Sequence, residues 1–329
     1  MKKRIIGLFA AFFAALICVT ACSSGIQSSS EDARIVGECG GYKVKYEELR
    51  FLTLTCKAAL EEKYGDDIFS AESSEWVGEY KAELENMVEE QLCQNYASLI
   101  EFKEKGIKPN NGDTKQYVED CIEILMMNEE LDEEEEYLAY LEECYMTDSV
   151  LRFNIALESC FNRYCAKVAE ELDEEAYNAV MNPGEFIRTM SIFIRNDKGE
   201  DVDRNRRDAE KVRAEIAAGA LLEDYIGTKY NQDTGICDYY IMRGYFDKAY
   251  EDAAFALEVG EVSPVVETAD GFYIIQRMEP STTYILGNIG DLKKIYFECK
   301  IYETINKRVE EIDFVLNEYG KTIDLWTME

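Results

Sequence analysis

The chain has 329 residues, with 35 Lys and Arg against 67 Asp and Glu and a formal net charge of −32. A surface of that sign repels nucleic-acid phosphates and anionic lipid head groups, so direct nucleic-acid binding is not expected. Histidine is absent, which removes Ser-His-Asp and Cys-His nucleophilic pairs, histidine-ligated zinc and imidazole acid–base chemistry. Catalysis, if any, must run on carboxylates, hydroxyls, thiols or amines, and neither a metal nor another cofactor is expected. The length suggests two globular units. Only four Pro and 20 Gly argue against a disordered or fibrous chain.

Residues 1 to 22 open with Lys2, Lys3 and Arg4, continue in an apolar run from Ile5 to Val19 and end in small residues. This is the layout of a secretory signal, with a core too short for a spanning helix. The ending Val19-Thr20-Ala21-Cys22 is similar to a bacterial lipobox. That resemblance implies a lipoprotein signal peptide over 1–21, a lipidated Cys22, and attachment to the membrane through the lipid anchor only. Residues 22–34 then form a flexible Ser-rich tether. Removing Lys2, Lys3 and Arg4 takes the charge from −32 to −35, so the acidic body should stand off the lipid surface. Of 11 cysteines, losing Cys18 and acylating Cys22 leaves an odd number without regular spacing, unlike a disulfide framework. Cys56, Cys93 and Cys121 fall in apolar helical patterns and read as small buried hydrophobes. Cys144, Cys160 and Cys165 are near enough in sequence for one bridge, and the pattern leaves that open.

Over 35–183 a helical domain is expected. Ala33 to Leu49 reads as two short strands around Gly40-Gly41 running into a helix, and it resembles the opening of the PrsA and SurA class of extracytoplasmic folding factors. From Tyr46 to about Met181 the pattern is helical. Leu84, Met87, Val88, Gln91, Leu92, Asn95, Leu99 and Phe102 trace a mostly apolar stripe at three- and four-residue spacing. That helix should stop at Gly106, and Asp113 with Gln116 offers a capping box for the next. The run Asp132 to Glu136 reads as a solvated helix face. In the resembled class such a module holds unfolded clients, and the adaptable candidates are Tyr117, Leu125, Met126, Met127, Tyr137, Tyr140, Tyr145 and Met146, with plain core burial as the alternative.

Asn182-Pro183-Gly184 breaks the helical pattern. A strand over Phe186 to Arg195, a helix over about Arg204 to Ala218, and strands meeting at Gly271 follow. The segment Tyr250 to Glu279, above all Ala253 to Leu257 with Gly260, Val262, Ser263 and Gly271, resembles the C-terminal half of a parvulin-type peptidyl-prolyl isomerase domain, placed here at 184–280. The implied fold is α+β, a mostly helical chaperone domain of SurA/PrsA type plus a small parvulin-like domain. Two family histidines fall on Ser191 and Tyr273, while the acidic and hydroxyl positions are kept as Asp233 and Thr268, with Asp270 where a small hydroxyl residue is common. Phe246, Tyr250 and Phe255 match the proline pocket, and the family's Gly-Asp-Leu-Gly turn falls on Gly235 to Asp238. The resemblance implies a grip on the proline ring that lowers the roughly 18–20 kcal/mol barrier to X-Pro rotation. Loss of both histidines implies a weakened site.

After Pro280 a helix from Asp291 to Tyr319 and a strand at Thr322 to Trp326 are expected, with 281–329 packing back on the helical domain. The implied protein is a lipid-anchored chaperone on the extracytoplasmic face of a bacterial cell membrane. Its partners would be unfolded or proline-containing secreted polypeptides, and X-Pro isomerase activity is left open. The alternative is a non-catalytic interaction lipoprotein that docks one specific partner on a dead parvulin scaffold.

Overall fold

The computed structural model describes residues 31–65, 68–69, 77–196, 201–231 and 238–329. Ile35–Cys39 (β1) and Tyr42–Lys45 (β2) pair antiparallel across Gly40-Gly41, whose φ values of 55° and 83° suit residues without a Cβ. The helices Tyr46–Tyr64 (α1), Val77–Glu104 (α2), Gly112–Asn128 (α3), Glu134–Glu143 (α4), Asp148–Glu171 (α5) and Asp173–Val180 (α6) follow. On α2, Leu84, Val88, Leu92, Asn95, Leu99 and Phe102 are buried, as the stripe requires, and Met87 and Gln91 are half-buried. The cap of α3 is Asn111, whose side chain accepts from the Thr114 N–H at 2.7 Å, rather than Asp113. The acidic run stays exposed, and it also caps α4: Glu136 accepts from the backbone of Asp132 and Glu133 at the positive end of the helix.

The second half of the chain holds Ile187–Arg195 (β3), Val202–Ala217 (α7), Asp238–Ile241 (β4), Lys248–Ala256 (α8), Val266–Thr268 (β5) and Gly271–Met278 (β6). The four strands form an antiparallel sheet in the order β4-β3-β6-β5. Strand alternation divides it into two apolar faces. Ile192, Ile194, Phe272 and Ile274 meet Ala209 and Val212 of α7 on one face. Ile187, Phe193, Ile241, Tyr273 and Ile275 meet Tyr250 and Ala254 of α8 on the other.

Thr282–Gly287 (α9), Ile289–Val309 (α10) and Phe314–Leu316 (β7) complete the chain. The expected long helix stops at Val309, because Glu310, Glu311 and Asp313 put negative charge at its negative end. The closing strand is Phe314–Leu316 rather than Thr322 to Trp326, and it pairs with the free edge of β1. Contacts divide the chain into two units, Val168–Tyr302 and a second one that joins the preceding described residues to Glu303–Glu329. Thus α6, α9 and the first part of α10 share a core with Phe186, Tyr240 and Tyr245. The second unit is closed by a sheet drawn from both ends of the described chain, in the order β2-β1-β7. The described cysteines are all thiols, with no bridge among Cys144, Cys160 and Cys165.

One carboxyl in the second unit is out of balance. Glu48 takes a 2.7 Å hydrogen bond from the Tyr96 hydroxyl on one oxygen, and the other is buried without a partner. Burial pushes its pKa up to about 7, against the opposing pull of the Tyr96 hydrogen bond. A carboxyl raised on folding adds stability that is complete below its unfolded value near 4.5 and is lost as pH rises through about 7. Urea unfolding should show the wild-type unit losing roughly 3 kcal/mol between those limits relative to Glu48→Gln, in which that component is flat.

Candidate active site

The site lies on the face of the four-stranded sheet that α8 covers. The β3–β6 register sets Ser191 opposite Ile275 and Phe193 opposite Tyr273, so Thr189, Ser191 and Phe193 project to the same side as Tyr273 and Ile275. Tyr250 enters from α8, fully buried, and its hydroxyl is 3.0 Å from that of Thr189 and also bonds Ser191. Burial raises the Tyr250 phenol pKa, while the Ser191 and Thr189 hydroxyls pull it down. Tyr250 therefore remains a neutral phenol at physiological pH. Three hydroxyls thus satisfy one another where a charged or imidazole cluster would otherwise need solvation.

Aromatic rings cover this polar centre. Tyr273 stacks on Phe193 with centroids 4.3 Å apart and meets Tyr250 edge-on at 5.0 Å. Phe246 stacks on the other side of Tyr250 at 5.0 Å and takes the edge of Tyr239 at 5.8 Å. Tyr239, Phe246 and Phe255 are half-buried, so the apolar cradle opens to solvent on that side. The Arg243 guanidinium lies 4.4 Å from the Phe255 ring centre and is paired with Asp252 at 3.2 Å.

Phe246 sits in a turn rather than on a helix or strand, and a single carboxylate fixes it there. Glu251 is 6% exposed. It accepts from the backbone N–H groups of Gly244 at 3.0 Å, Tyr245 at 2.8 Å and Phe246 at 2.8 Å. Charge-assisted bonds of this kind are the strong class, and three of them satisfy a buried ion that would otherwise be costly.

The structure brings together Ser191, Tyr273, Tyr250 and Phe246 and sets Thr268 apart. Thr268 pairs with Gly271, four strand positions along β6 from Ile275, a distance of roughly 13 Å at the strand rise. Its hydroxyl donates to the Gly271 carbonyl at 3.1 Å and so holds the hairpin turn. Asp233 and the turn from Gly235 to Cys237 lie outside the described residues, as does Cys22. Tyr240 is turned to the opposite side, into the cluster with Phe186 and Tyr296, and leaves the cradle unfilled by its ring. Sequence reasoning missed Thr189, Phe193, Tyr239 and Glu251. The first two are legible as the i−2 and i+2 neighbours of Ser191 on one strand face, whereas Glu251 stands beside a second acid, Asp252, and nothing in the sequence marks which of the two is buried.

The model of the PPIC-type peptidyl-prolyl isomerase domain matches residues 174–283. The foldase protein PrsA of Oceanobacillus iheyensis is 24% identical over 259 residues, covering 74% of this chain and 80% of that protein. The peptidyl-prolyl cis-trans isomerase ssp-1 of Neurospora crassa is 52% identical over 40 residues, 12% of this chain and 22% of that one. Among solved structures, PrsA of Bacillus anthracis aligns with a TM-score of 0.37 at 14% identity, over 67% of this chain and 96% of that one. The region around the site is accordingly a parvulin-class domain. The chain that carries this domain is similar to PrsA foldases over much of its length, and its organisation is the expected α+β one, mostly helical with two small sheets.

Replacing Glu251 by Ala leaves three backbone donors in the turn without their acceptor. The expected loss is about 2–4 kcal/mol of unfolding free energy in the unit that holds the site. Near-ultraviolet circular dichroism should change with it as the Phe246–Tyr250 stack loosens, whereas Asp252→Ala, on the exposed side of the same helix, should leave both readings within about 0.5 kcal/mol and unchanged in shape.

Proposed function

We propose that the chain is a folding factor anchored by lipid at Cys22 to the extracytoplasmic face of the cell membrane. In this reading it binds unfolded secreted polypeptides and accelerates X-Pro rotation with an activity weakened by the missing imidazoles. The observation that carries the isomerase half is the aromatic cradle of Phe246, Tyr250 and Tyr273 over the Ser191–Tyr250–Thr189 hydroxyls within a parvulin-class domain. Rotation about an imide breaks no bond and moves no proton. What it needs is a pocket that grips the ring, and desolvation that favours the less polar twisted amide. Phe246 and Phe255 supply the grip, Tyr250 and Tyr273 form the floor, and Ser191 stands in the polar centre. Asp233 is assigned the acidic position, and Thr268 the positioning of the β5–β6 turn.

A protease-coupled assay on an X-Pro tetrapeptide tests this half. The wild-type chain should exceed the uncatalysed rate, and Phe246→Ala should lower kcat/KM by at least about tenfold, the equivalent of ~1.4 kcal/mol of lost transition-state binding. A wild-type rate equal to background would eliminate isomerase activity. The mutual satisfaction of three buried hydroxyls favours the second reading, a non-catalytic scaffold that docks one partner, and that result would select it.

Holding of clients is assigned to the unit formed by the N-terminal helices. Of the eight expected contact residues, Tyr137 and Met146 are core, Leu125, Met126, Tyr140 and Tyr145 are half-buried, and Tyr117 and Met127 are exposed, Met127 by 71%. Ile124 on α3 and Leu138 on α4 are also exposed, 52% and 48%. These side chains flank the acidic run from Asp132 to Glu136, which suits client segments that are apolar and basic. Suppression of aggregation of a reduced, unfolded client should weaken about tenfold in the Ile124→Ser, Met127→Ser double variant, since each buried apolar side chain adds roughly 1 kcal/mol or more to binding. Equal protection by the variant would remove this surface from the reading.

A further inference from the structure

We propose that Cys39 and Cys93 form a disulfide that staples the end of β1 to α2. The two sulfurs are 3.7 Å apart, and both residues are buried, Cys39 fully and Cys93 to within 5%. They stand 54 positions apart in sequence and meet under the three-stranded sheet. Closing the gap to a sulfur–sulfur bond of about 2.05 Å takes a shift of roughly 1.6 Å, within reach of small side-chain rotations. Other described thiols have different neighbours: Cys121 and Cys144 have the hydroxyls of Tyr117 and Tyr140, and Cys160 has the Arg163 guanidinium at 3.4 Å. Opposed buried thiols give up little hydrogen-bond energy when they are oxidised, since a thiol is a weak donor and acceptor.

The chemistry is thiol–disulfide exchange with an oxidant of the disulfide class, a small-molecule or protein R–S–S–R. The Cys93 thiolate attacks one sulfur of the oxidant, forming Cys93–S–S–R and releasing R–S⁻, which takes up the proton that Cys93 lost. Cys39 then loses its proton and attacks the Cys93 sulfur, and the second R–S⁻ leaves and is protonated. Two cysteine thiols are oxidised to one disulfide while the oxidant is reduced to two thiols. Cys93 is the attacking group in this scheme because its sulfur also has the Phe314 backbone N–H to stabilise a thiolate, against the opposing effect of burial. Burial confines the exchange to folding or to transient opening of the unit. The bond would tie down both ends of the unit at once, since β1 is the central strand between β2 and β7.

The test uses the full chain, refolded from denaturant in a buffer of oxidised and reduced glutathione, then alkylated in denaturant and digested without reductant. Mass spectrometry should find the Cys39 peptide joined to the Cys93 peptide, lighter than their sum by two hydrogens. Adding a reductant should lower the Tm of this material by roughly 5–10 °C, as expected for a crosslink closing a long loop. The Cys39→Ala, Cys93→Ala variant should show no such difference. Both residues recovered fully alkylated, or either one joined to a different cysteine, would overturn the proposal.

Discussion

The candidate site depends on the antiparallel ladder between Ile187–Arg195 and Gly271–Met278. Its register, from Arg188 against Met278 to Arg195 against Gly271, fixes which side chains share a face. A slip of one residue would carry Ser191 to the α7 side and break the hydroxyl cluster, and Tyr273 would lose Phe193 as its partner. Gly271 secures the end of the ladder. It has a φ of 147°, and a Cβ there would collide with the Ile194 carbonyl oxygen, so no larger residue permits the two strands to approach so closely.

On that frame the absence of histidine changes the chemistry less than it changes the electrostatics. A pair of imidazoles would bring titration near neutral pH into the polar centre. Thr189, Ser191 and Tyr250 have no such titration, and each is buried with a partner. The centre therefore keeps one protonation state across the physiological range. The aromatic surfaces over this centre take their position from Glu251, through three backbone N–H groups of the Gly244–Phe246 turn. A buried carboxylate serves here to hold backbone in place.

The helical unit is organised on a different principle. Its three-stranded sheet takes one hairpin from the start of the described chain and one strand from its end, so neither part can close the unit alone. Gly320 reinforces the return by lying so close to the Val36 carbonyl that a side chain there would clash with it. The strong negative charge is carried largely on exposed side chains, and where it is concentrated, between Asp132 and Glu136, it also caps a helix.

Periodicity and turn chemistry were enough to read the helical character of the first half, the Gly40-Gly41 hairpin, the helix end at Gly106 and the strand meeting point at Gly271, because each depends on contacts within a few residues. The family resemblance placed Ser191, Tyr273, Tyr250 and Phe246 in one site, and the fold brings these four together. Local pattern failed where a distant segment made the decision. Phe314–Leu316 could continue a helix by apolar spacing, yet it pairs antiparallel with the free edge of the first strand, from Gly37 against Leu316 to Cys39 against Phe314. Thr268 and Glu251 show the same limit at the site: a hydroxyl and a carboxylate carry no mark of whether they face a ligand or a neighbouring turn. The sequence by itself determined composition, element types and the scaffold of the second domain, which short-range sterics and burial dictate. Only the tertiary structure decided which polar groups are spent on one another, because hydrogen-bond partners such as Thr189 and Tyr250 lie 61 residues apart and meet only when the sheet and its covering helix have closed.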